Sequence, residues 1–227
     1  YPHSSGVTVT AIITNGKSDG NVPGDYVTMS MLALLPALLA ETPERAFVIG
    51  YGAGVTVAEL TSLDQMREVV VAEISPGVIE AARYFESYER AAAHPKTRII
   101  IGDAYRALLR SPGRFDVIAS EPSSLWATGA EMLYSREFLE AARTRLSPGG
   151  VYLQWFHVYE TDSRTVGLVL NTFSEVFEQV AVWYSQPGDL LILGFPKADF
   201  RIDLDELSAR WSQDDFARGF GRIRIDS

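Results

Sequence analysis

Short apolar runs alternate with segments whose apolar residues recur at helical spacing along most of the chain. The apolar runs predict strands, and the segments between them predict helices. The predicted strands span residues 7–14, 46–50, 69–73, 97–101, 115–119, 151–156, 180–184 and 190–194. The predicted helices span residues 25–40, 55–62, 76–88, 104–109, 135–145 and 162–177. Such alternation with short connections predicts a parallel sheet covered by helices on both faces.

The connection between the last two strands refines this prediction. Only the residues SQPGD, Ser185 to Asp189, separate them. No crossover helix fits in that gap, so these two strands should pair antiparallel. The predicted fold class is therefore α/β, of the Rossmann-like methyltransferase type, with a seven-stranded, mostly parallel sheet that ends in an antiparallel hairpin.

Proline and glycine residues predict where two helices are interrupted or end. The helix that begins at Asp25 is expected to be amphipathic and interrupted or kinked near Pro36. Gly149-Gly150 is expected to end the helix that precedes the fifth strand of the sheet.

Both ends of the chain fall outside the regular alternation. Asn15-Gly16 favours a hairpin turn, so residues 1–24 are predicted to form a small N-terminal β-hairpin region before a main domain at 25–197. Residues 198–227 are charged and weakly periodic, which predicts a peripheral helix and tail. The chain begins at Tyr1 rather than methionine, so we expect the N-terminal region to be truncated.

Composition excludes several classes of function. A net charge of −9 argues against a general nucleic-acid binder, which needs a basic face to meet phosphates. The absence of cysteine excludes disulfides, thiolate metal sites and cysteine nucleophiles, and the three histidines are too far apart in sequence to suggest a metal site. The longest apolar stretch, Met29 to Ala40, is too short to cross a bilayer. We expect a cytoplasmic protein.

The candidate ligand site begins with a glycine-rich turn after the first strand of the sheet. The residues Gly50-Tyr51-Gly52-Ala53-Gly54 follow the strand and precede a helix, as in nucleotide-binding sheets. Glycine allows the backbone angles of the turn and a close approach of ligand to the main chain. Glu73 ends the next strand, where a carboxylate accepts hydrogen bonds from two ribose hydroxyls. A nucleoside site is predicted from Gly50, Gly52, Gly54, Glu73 and Ile74.

Two observations favour S-adenosylmethionine over NAD as the nucleoside. The glycines follow the pattern GxGxG rather than GxGxxG. Asp103, after the third strand, can accept a hydrogen bond from the exocyclic amine of adenine, and the N–H of Ala104 can meet a ring nitrogen. The alternative role of Asp103 is to cap the helix that follows, and the two roles are compatible.

The loop after the fourth strand should lie beside the bound ligand, at the carboxyl edge of the sheet. Glu121 is predicted near the reactive sulfonium, with an exposed loop acid as the alternative. Trp126 is predicted to cover the pocket, with a core position as the alternative. The end of the next strand should wall an acceptor pocket with some of Gln154, Trp155, His157 and Tyr159, and alternation should place the others in helix–sheet packing.

Several longer stretches resemble the polyamine aminopropyltransferases, which are the spermidine synthases and their spermidine synthase-like relatives. The stretches are NGKSD (15–19), VIGYGAGVT (48–56), VVVAEISPGVIEAARYF (69–85), IIIGDAYRALL (99–109), FDVIASEPSSLW (115–126) and LYSREFLEAARTRLSPGGVYLQW (133–155). The EPSSLW form looks most like bacterial spermidine synthase-like proteins, some of which are fused to membrane transporter-like segments. Such a segment upstream of Tyr1 would fit this resemblance, which covers roughly residues 7–195.

The resemblance implies transfer of an aminopropyl group from decarboxylated S-adenosylmethionine to a diamine such as putrescine, with release of methylthioadenosine. By position, it implies that Glu73 binds ribose, Asp103 binds adenine and Glu121 stands where the family has its catalytic aspartate. Asp25 aligns with an acidic residue that opens the N-terminal helix. The resemblance also implies an amine substrate, no metal, and a homodimer or tetramer. Substrate-binding residues are then Asp25, Trp126, Gln154 and Tyr159.

Two positions depart from the pattern of the active enzymes. Ala53 replaces an aspartate that binds the amine of the aminopropyl group, and Ser123-Ser124 replace a second loop acid. A diammonium substrate in a partly dry pocket needs matched carboxylates, so we expect an altered acceptor site. Ala53 is also expected to let the pocket accept S-adenosylmethionine itself or methylthioadenosine. The alternatives are an S-adenosylmethionine-dependent methyltransferase acting on a small acceptor, or a non-catalytic nucleoside-binding module.

Overall fold

A computed structural model of the chain describes residues 9–14, 17–122, 129–159 and 161–225, without the side chains of residues 14 and 17–19. The strands in these ranges are β1 (Thr10–Thr14), β2 (Lys17–Val22), β3 (Arg45–Ile49), β4 (Glu68–Glu73), β5 (Thr97–Ile101), β6 (Phe115–Ser120), β7 (Leu146–His157), β8 (Gln179–Gln186) and β9 (Asp189–Phe195). The α-helices are α1 (Tyr26–Leu39), α2 (Val55–Thr61), α3 (Pro76–Ala81), α4 (Ala104–Arg110), α5 (Arg136–Arg145), α6 (Ser163–Val176), α7 (Leu204–Trp211) and α8 (Asp214–Arg222).

Strands β3 to β9 form one seven-stranded sheet in the order β5-β4-β3-β6-β7-β9-β8. The first five strands in this order are parallel. Strand β9 pairs antiparallel with both β7 and β8. Strands β1 and β2 form a separate antiparallel hairpin, and the predicted Asn15-Gly16 turn lies outside the described residues. The predicted fold class is confirmed.

Both faces of the sheet are buried at its central strands, because alternate side chains of β3, β4, β6, β7 and β9 join different apolar clusters. On β3, Val48 packs in the cluster that contains α1, α2 and α8. Its neighbours Phe47 and Ile49 pack in the cluster that contains α4, α5 and α6. The parallel strands therefore read in sequence as continuous apolar runs rather than as apolar–polar alternation.

Helix α1 differs from the predicted amphipathic, interrupted helix. It runs without a break from Tyr26 to Leu39 with Pro36 inside it, and every residue from Thr28 to Leu38 is buried. The sheet lies on one side of α1, and α2, α7 and α8 contact it as well. A helix that is covered on all sides needs no polar face, so its sequence is apolar all round.

The segment after β9 forms two helices, and it is less peripheral than the sequence predicted. Phe216 and Phe220 of α8 are 2% and 1% exposed. Both belong to the same apolar cluster as α1 and α2. Helix α8 thus completes the layer that covers one face of the sheet. None of the helices in the described ranges has the length and apolar character needed to cross a membrane.

The predicted helix at 76–88 is shorter than expected. Helix α3 ends at Ala81, and 3₁₀ turns follow at Ala82–Tyr84 and Tyr88–Arg90. The chain leaves helical geometry where Phe85 packs against Ala53 in a small apolar cluster. The Ser87 hydroxyl also donates a hydrogen bond to the Ala53 carbonyl, at 2.6 Å. Tertiary packing against the glycine turn therefore ends this helix early.

Gly149-Gly150 does not end a helix, contrary to the prediction. Helix α5 ends at Arg145, and both glycines lie within β7. A Cβ on Gly150 would lie 3.0 Å from the carbonyl oxygen of Phe115, and one on Gly149 would overlap the Glu41 side chain. Tight backbone contacts therefore disfavour a side chain at Gly150, whereas the exposed Glu41 side chain could move away from one at Gly149.

Candidate functional site

The carboxyl ends of four neighbouring strands meet at one edge of the sheet. The register places Ile49 of β3 beside Ala72 of β4 and Ser120 of β6. Glu73 of β4 lies beside Ile101 of β5. The residues that follow these strands border a cavity of about 400 Å³, which we call the edge cavity.

Most of the predicted site residues line the edge cavity. They are Asp25, Gly50, Gly52, Glu73, Ile74, Asp103, Ala104, Glu121 and Tyr159. Trp126 lies outside the described residues. Gly54 and Gln154 are not among the lining residues. The hairpin contributes Ile12 and Gly20 to the wall, so β1 and β2 cover part of the cavity.

The glycine turn wraps closely around Glu121. Gly50 and Gly52 have φ angles of 84° and 51°. A Cβ on Gly50 would lie 2.6 Å from the Glu121 carbonyl oxygen, and one on Gly52 would lie 2.9 Å from Glu121 Oε1. At Gly54, φ is 74° and a Cβ would lie 2.5 Å from the Tyr51 hydroxyl oxygen. The structure thus gives Gly54 a packing role at the beginning of α2.

Replacement of Gly52 by alanine is expected to lower the free energy of unfolding by about 1–2 kcal/mol, because an L-residue is strained at positive φ. Contact with Glu121 should add to this loss. Urea unfolding measures the change. Gly77 in α3 is a matched control, since the nearest atom to a Cβ there lies 3.7 Å away, and alanine should be neutral or stabilising at this helical position. Equal effects of the two substitutions would contradict the geometry of the turn.

Glu73 connects the glycine turn to the end of β4. The residue is 6% exposed. Its Oε2 accepts a hydrogen bond from the Tyr51 N–H at 2.9 Å, and its Oε1 accepts one from the Ser75 N–H at 2.7 Å. These bonds fix the carboxylate in the cavity wall. Each oxygen has a second lone pair with which it can accept a hydrogen bond from a ligand hydroxyl.

Asp103 has the capping role that was the alternative to ligand binding. Its Oδ1 accepts a hydrogen bond from the Arg106 N–H at 2.9 Å, at the beginning of α4. The residue also lines the edge cavity. The cap leaves Asp103 at the cavity wall, so the geometry allows both roles.

Glu121 is a buried acid, which corrects the alternative of an exposed loop residue. It is 9% exposed, and its Oε2 lies 2.8 Å from the Thr56 hydroxyl oxygen. Burial raises the pKa of Glu121 to about 8, opposed by the hydrogen bond with Thr56 and reinforced by the charges of Asp25 and Glu73. At neutral pH the carboxyl group is therefore mostly protonated in the absence of ligand.

Asp25 lies at the beginning of α1, where the hairpin joins the main sheet. Its Oδ2 accepts hydrogen bonds from the backbone N–H and the side-chain amide of Asn21, at 2.9 and 2.7 Å. Burial raises the pKa of Asp25 in spite of these bonds. A cationic ligand in the cavity would favour the ionised form of this carboxyl group.

Strand alternation decides which residues of β7 reach the edge cavity. Trp155 and His157 line it, and the Tyr159 hydroxyl oxygen lies 3.2 Å from His157 Nδ1. Gln154 is fully buried, and its Oε1 accepts a hydrogen bond from the Tyr152 hydroxyl at 2.6 Å. The predicted substrate-binding role of Gln154 is therefore corrected, because its side chain is held in the packing between sheet and helices.

Asp189 is a residue of the site region that sequence reasoning missed. It is 3% exposed, and its Oδ2 accepts hydrogen bonds from the Thr28 hydroxyl at 3.1 Å and the Gln186 side chain at 2.8 Å. Its Oδ1 lies 3.7 Å from His157 Nδ1. The antiparallel register that places Asp189 opposite His157 brings these side chains together. Only this register could have indicated that Asp189 lies near His157, and the register cannot be derived from the sequence.

Ala53 lies beside the site without lining the cavity. It is fully buried in an apolar cluster with Ile12, Met29, Val55 and Phe85. The small side chain therefore serves the packing of the hairpin on the glycine turn. Whether Ala53 changes the choice of donor stays a prediction.

The ionisable side chains of the cavity wall include more acids than bases. The lining includes four carboxyl groups, those of Asp25, Glu73, Asp103 and Glu121, and no lysine or arginine among the residues that the structure describes. Such a wall attracts a cationic ligand. No group of three or more histidine, aspartate or glutamate side chains within the described ranges is arranged to hold a metal ion.

Comparison with known proteins shows which family of proteins this chain resembles. The sequence profile of the spermine/spermidine synthase domain matches residues 26–186. The polyamine aminopropyltransferase of Sulfurisphaera tokodaii is 25% identical over 174 residues, which cover 75% of this chain and 57% of that protein. Polyamine aminopropyltransferase 2 of Pseudomonas aeruginosa is 28% identical over 197 residues, which cover 84% and 55%. The chain thus spans little more than half the length of these relatives.

A solved structure shows the same fold. The crystal structure of spermidine synthase in complex with the transition-state analogue AdoDATO superposes with a TM-score of 0.72 at 21% identity. The superposition covers 92% of this chain and 80% of that one.

Proposed function

Because the chain belongs to the spermine/spermidine synthase domain family, we propose that it is an aminopropyltransferase. It transfers the aminopropyl group of decarboxylated S-adenosylmethionine to a diamine such as putrescine and releases methylthioadenosine. The observation that carries this proposal is the acidic wall of the edge cavity, which has no lysine or arginine in its described part. This donor is a sulfonium with a primary ammonium and no carboxylate, so its charge complements the wall.

The adenosine part of the donor fits the side of the cavity formed by β4 and β5. The carboxylate of Glu73 receives the ribose hydroxyls. Asp103 receives the exocyclic amine of adenine, and the N–H of Ala104 meets a ring nitrogen. Ile74 is 75% exposed and lines the cavity, so it offers an apolar surface to the base.

The reaction is a displacement at the carbon attached to sulfur. The neutral amine of the acceptor forms a bond to the propyl carbon, and the carbon–sulfur bond breaks with its electron pair going to sulfur. Sulfur becomes a neutral thioether, and the new ammonium loses a proton. Glu121, in its ionised form, is placed to stabilise the positive charges and to accept this proton. The cavity wall holds the two reactants in line.

The acceptor fits the other end of the cavity, between α1 and the end of β7. Asp25 supplies a carboxylate there, and Trp155, His157 and Tyr159 supply aromatic walls. Carboxylates and aromatic faces both bind ammonium groups. The predicted contribution of Trp126 remains part of this proposal.

Analysis of reaction products tests the proposal. The protein is incubated with either decarboxylated or ordinary S-adenosylmethionine and a mixture of diamines, and the nucleoside products are identified by mass spectrometry. We expect methylthioadenosine and an aminopropylated amine from the decarboxylated donor only. S-adenosylhomocysteine from the ordinary donor would instead indicate a methyltransferase. Binding of both donors without any product would indicate a nucleoside-binding module.

We also propose that the protein acts in the cytoplasm as a homodimer or tetramer. The resemblance to the aminopropyltransferases supports this assembly. Sedimentation of the purified chain tests the assembly, and a monomer at all concentrations would contradict it.

A further inference from the structure

Thr56 is a fully buried residue of α2 whose hydroxyl lies between two oxygen atoms. Its Oγ1 is 3.0 Å from the carbonyl oxygen of Met29 and 2.8 Å from Oε2 of Glu121. A hydroxyl has one proton to donate, and a carbonyl oxygen can only accept. Both contacts are full hydrogen bonds at the same time only if Thr56 donates to Met29 and Glu121 donates to Thr56.

The surroundings of Glu121 favour the same protonated state. The carboxyl groups of Asp25, before α1, and Glu73, at the end of β4, both repel a negative charge on Glu121. The remaining titratable groups of the cavity wall are Asp103, Tyr105, His157 and Tyr159. The described part of that wall contains no lysine or arginine that could stabilise the charge.

We propose that Thr56 is a positioning residue whose hydroxyl bonds to both protonation states of Glu121 and so allows the carboxyl group to ionise when a cation binds. In the free protein the Thr56 hydroxyl accepts the proton of Glu121 as a hydrogen bond. When a cationic nucleoside enters the edge cavity, Glu121 loses this proton to solvent, and the Thr56 hydroxyl turns to donate to the carboxylate. The Met29 carbonyl still accepts the N–H four residues later in α1.

This arrangement makes Glu121 available as a base only after the cationic donor has bound. A protonated Glu121 is satisfied by Thr56 and cannot accept a proton from an amine. The sulfonium of the donor favours the ionised carboxylate, which can then receive the proton of the attacking amine. The inference rests on the proposed function in one respect, that the ligand is a cationic nucleoside.

Proton release on binding tests the inference directly. Calorimetry at pH 7 in buffers of different ionisation enthalpy counts the protons released. Decarboxylated S-adenosylmethionine should release about one proton, because its charge shifts the Glu121 carboxyl to the ionised form. Methylthioadenosine shares the adenosyl group but is neutral, so it should release none. Glu121→Gln should abolish the release while methylthioadenosine still binds. Binding of the sulfonium without proton release would overturn the inference.

Substitutions of Thr56 distinguish the contribution of its hydroxyl group from that of its packing. Thr56→Val removes the donor to the ionised carboxylate, so affinity for the decarboxylated donor should fall about tenfold or more, the effect expected of a hydrogen bond to a charged group. Affinity for methylthioadenosine should not change. Thr56→Ser keeps the hydroxyl and should restore the affinity for the cation. Equal losses for both ligands would show that Thr56 has only a structural role.

The pH dependence of stability, measured without ligand, tests this inference separately from the proposed function. Native Glu121 keeps its proton up to about pH 8, its raised pKa, whereas the unfolded chain ionises near the ordinary pKa of 4.5. Between these values the unfolded state binds fewer protons, so the contribution of Glu121 to stability falls as pH rises. Glu121→Gln should remove this fall. If the stabilities of the variant and the natural protein change with pH in the same way, Glu121 is not protonated in the free protein, even if every nucleoside binds. If no nucleoside binds but the profiles are as expected, the proposed function and the ionisation on ligand binding are refuted, while the protonated state of Glu121 in the free protein stands.

Discussion

Replacement of Glu121 by glutamine is expected to lower turnover with decarboxylated S-adenosylmethionine and a diamine by about 100- to 10,000-fold. Glutamine has nearly the same size as glutamate, so the turn at Gly50 and Gly52 that contacts residue 121 should keep its shape. Its amide cannot ionise, and the site loses both the charge beside the sulfonium and the acceptor for the amine proton. Release of methylthioadenosine measures turnover.

The affinity for methylthioadenosine provides the necessary control for Glu121→Gln. Glu73 and Asp103 hold the adenosine in the proposed site, so this affinity should change little. Glu80→Gln removes the charge of an exposed glutamate in α3 and should change neither turnover nor affinity. If Glu121→Gln turns over normally, the proton acceptor lies elsewhere. His157, with Asp189 beside it in the same region, would then be the next residue to replace.

The positions of most residues that line the edge cavity could be predicted because parallel strands end at a common edge. The glycine turn, Glu73 and Asp103 each follow an apolar run, and the alternation of strands and helices makes those runs parallel. Their carboxyl ends then meet without any knowledge of side-chain packing. The antiparallel end of the sheet followed from one short connection, Ser185 to Asp189.

Residues whose placement depends on tertiary contacts could not be predicted in the same way. A strand's alternation separates Gln154 from Trp155 and His157, but it does not say which of the two sets faces the cavity. The position of Asp189 depends on the register of β9 against β7. Thr56 ends the stretch VIGYGAGVT, but the sequence assigns its hydroxyl no role. The role arises only because Glu121, which follows β6, lies against α2.

Removal of the Arg222 guanidinium is expected to lower the free energy of unfolding by about 3 kcal/mol or more. Glu59 of α2 is fully buried, and Arg222 contacts both of its carboxylate oxygens, with Nε 3.0 Å from Oε1. In Arg222→Met the nearest remaining cation is Arg90, whose Nη1 lies 3.7 Å from Oε1. The Tyr26 hydroxyl adds one neutral hydrogen bond at 3.2 Å. Glu59 would then hold an insufficiently compensated buried charge. Urea unfolding measures the loss.

Two comparisons show whether this loss comes from the buried charge. Arg136→Met breaks an exposed ion pair with Glu140 and should change stability by less than about 1 kcal/mol. The double variant Arg222→Met, Glu59→Gln should recover part of the loss, because no buried charge remains. Glu59 lies one turn after Thr56 on α2, so the Arg222 contact also fixes the helix that carries the Thr56 hydroxyl. Equal effects of the two single arginine variants would mean that the Arg222–Glu59 contact contributes no more to stability than an exposed ion pair. A selective effect of Arg222 would mean that α8 supports α2 and, through it, the site.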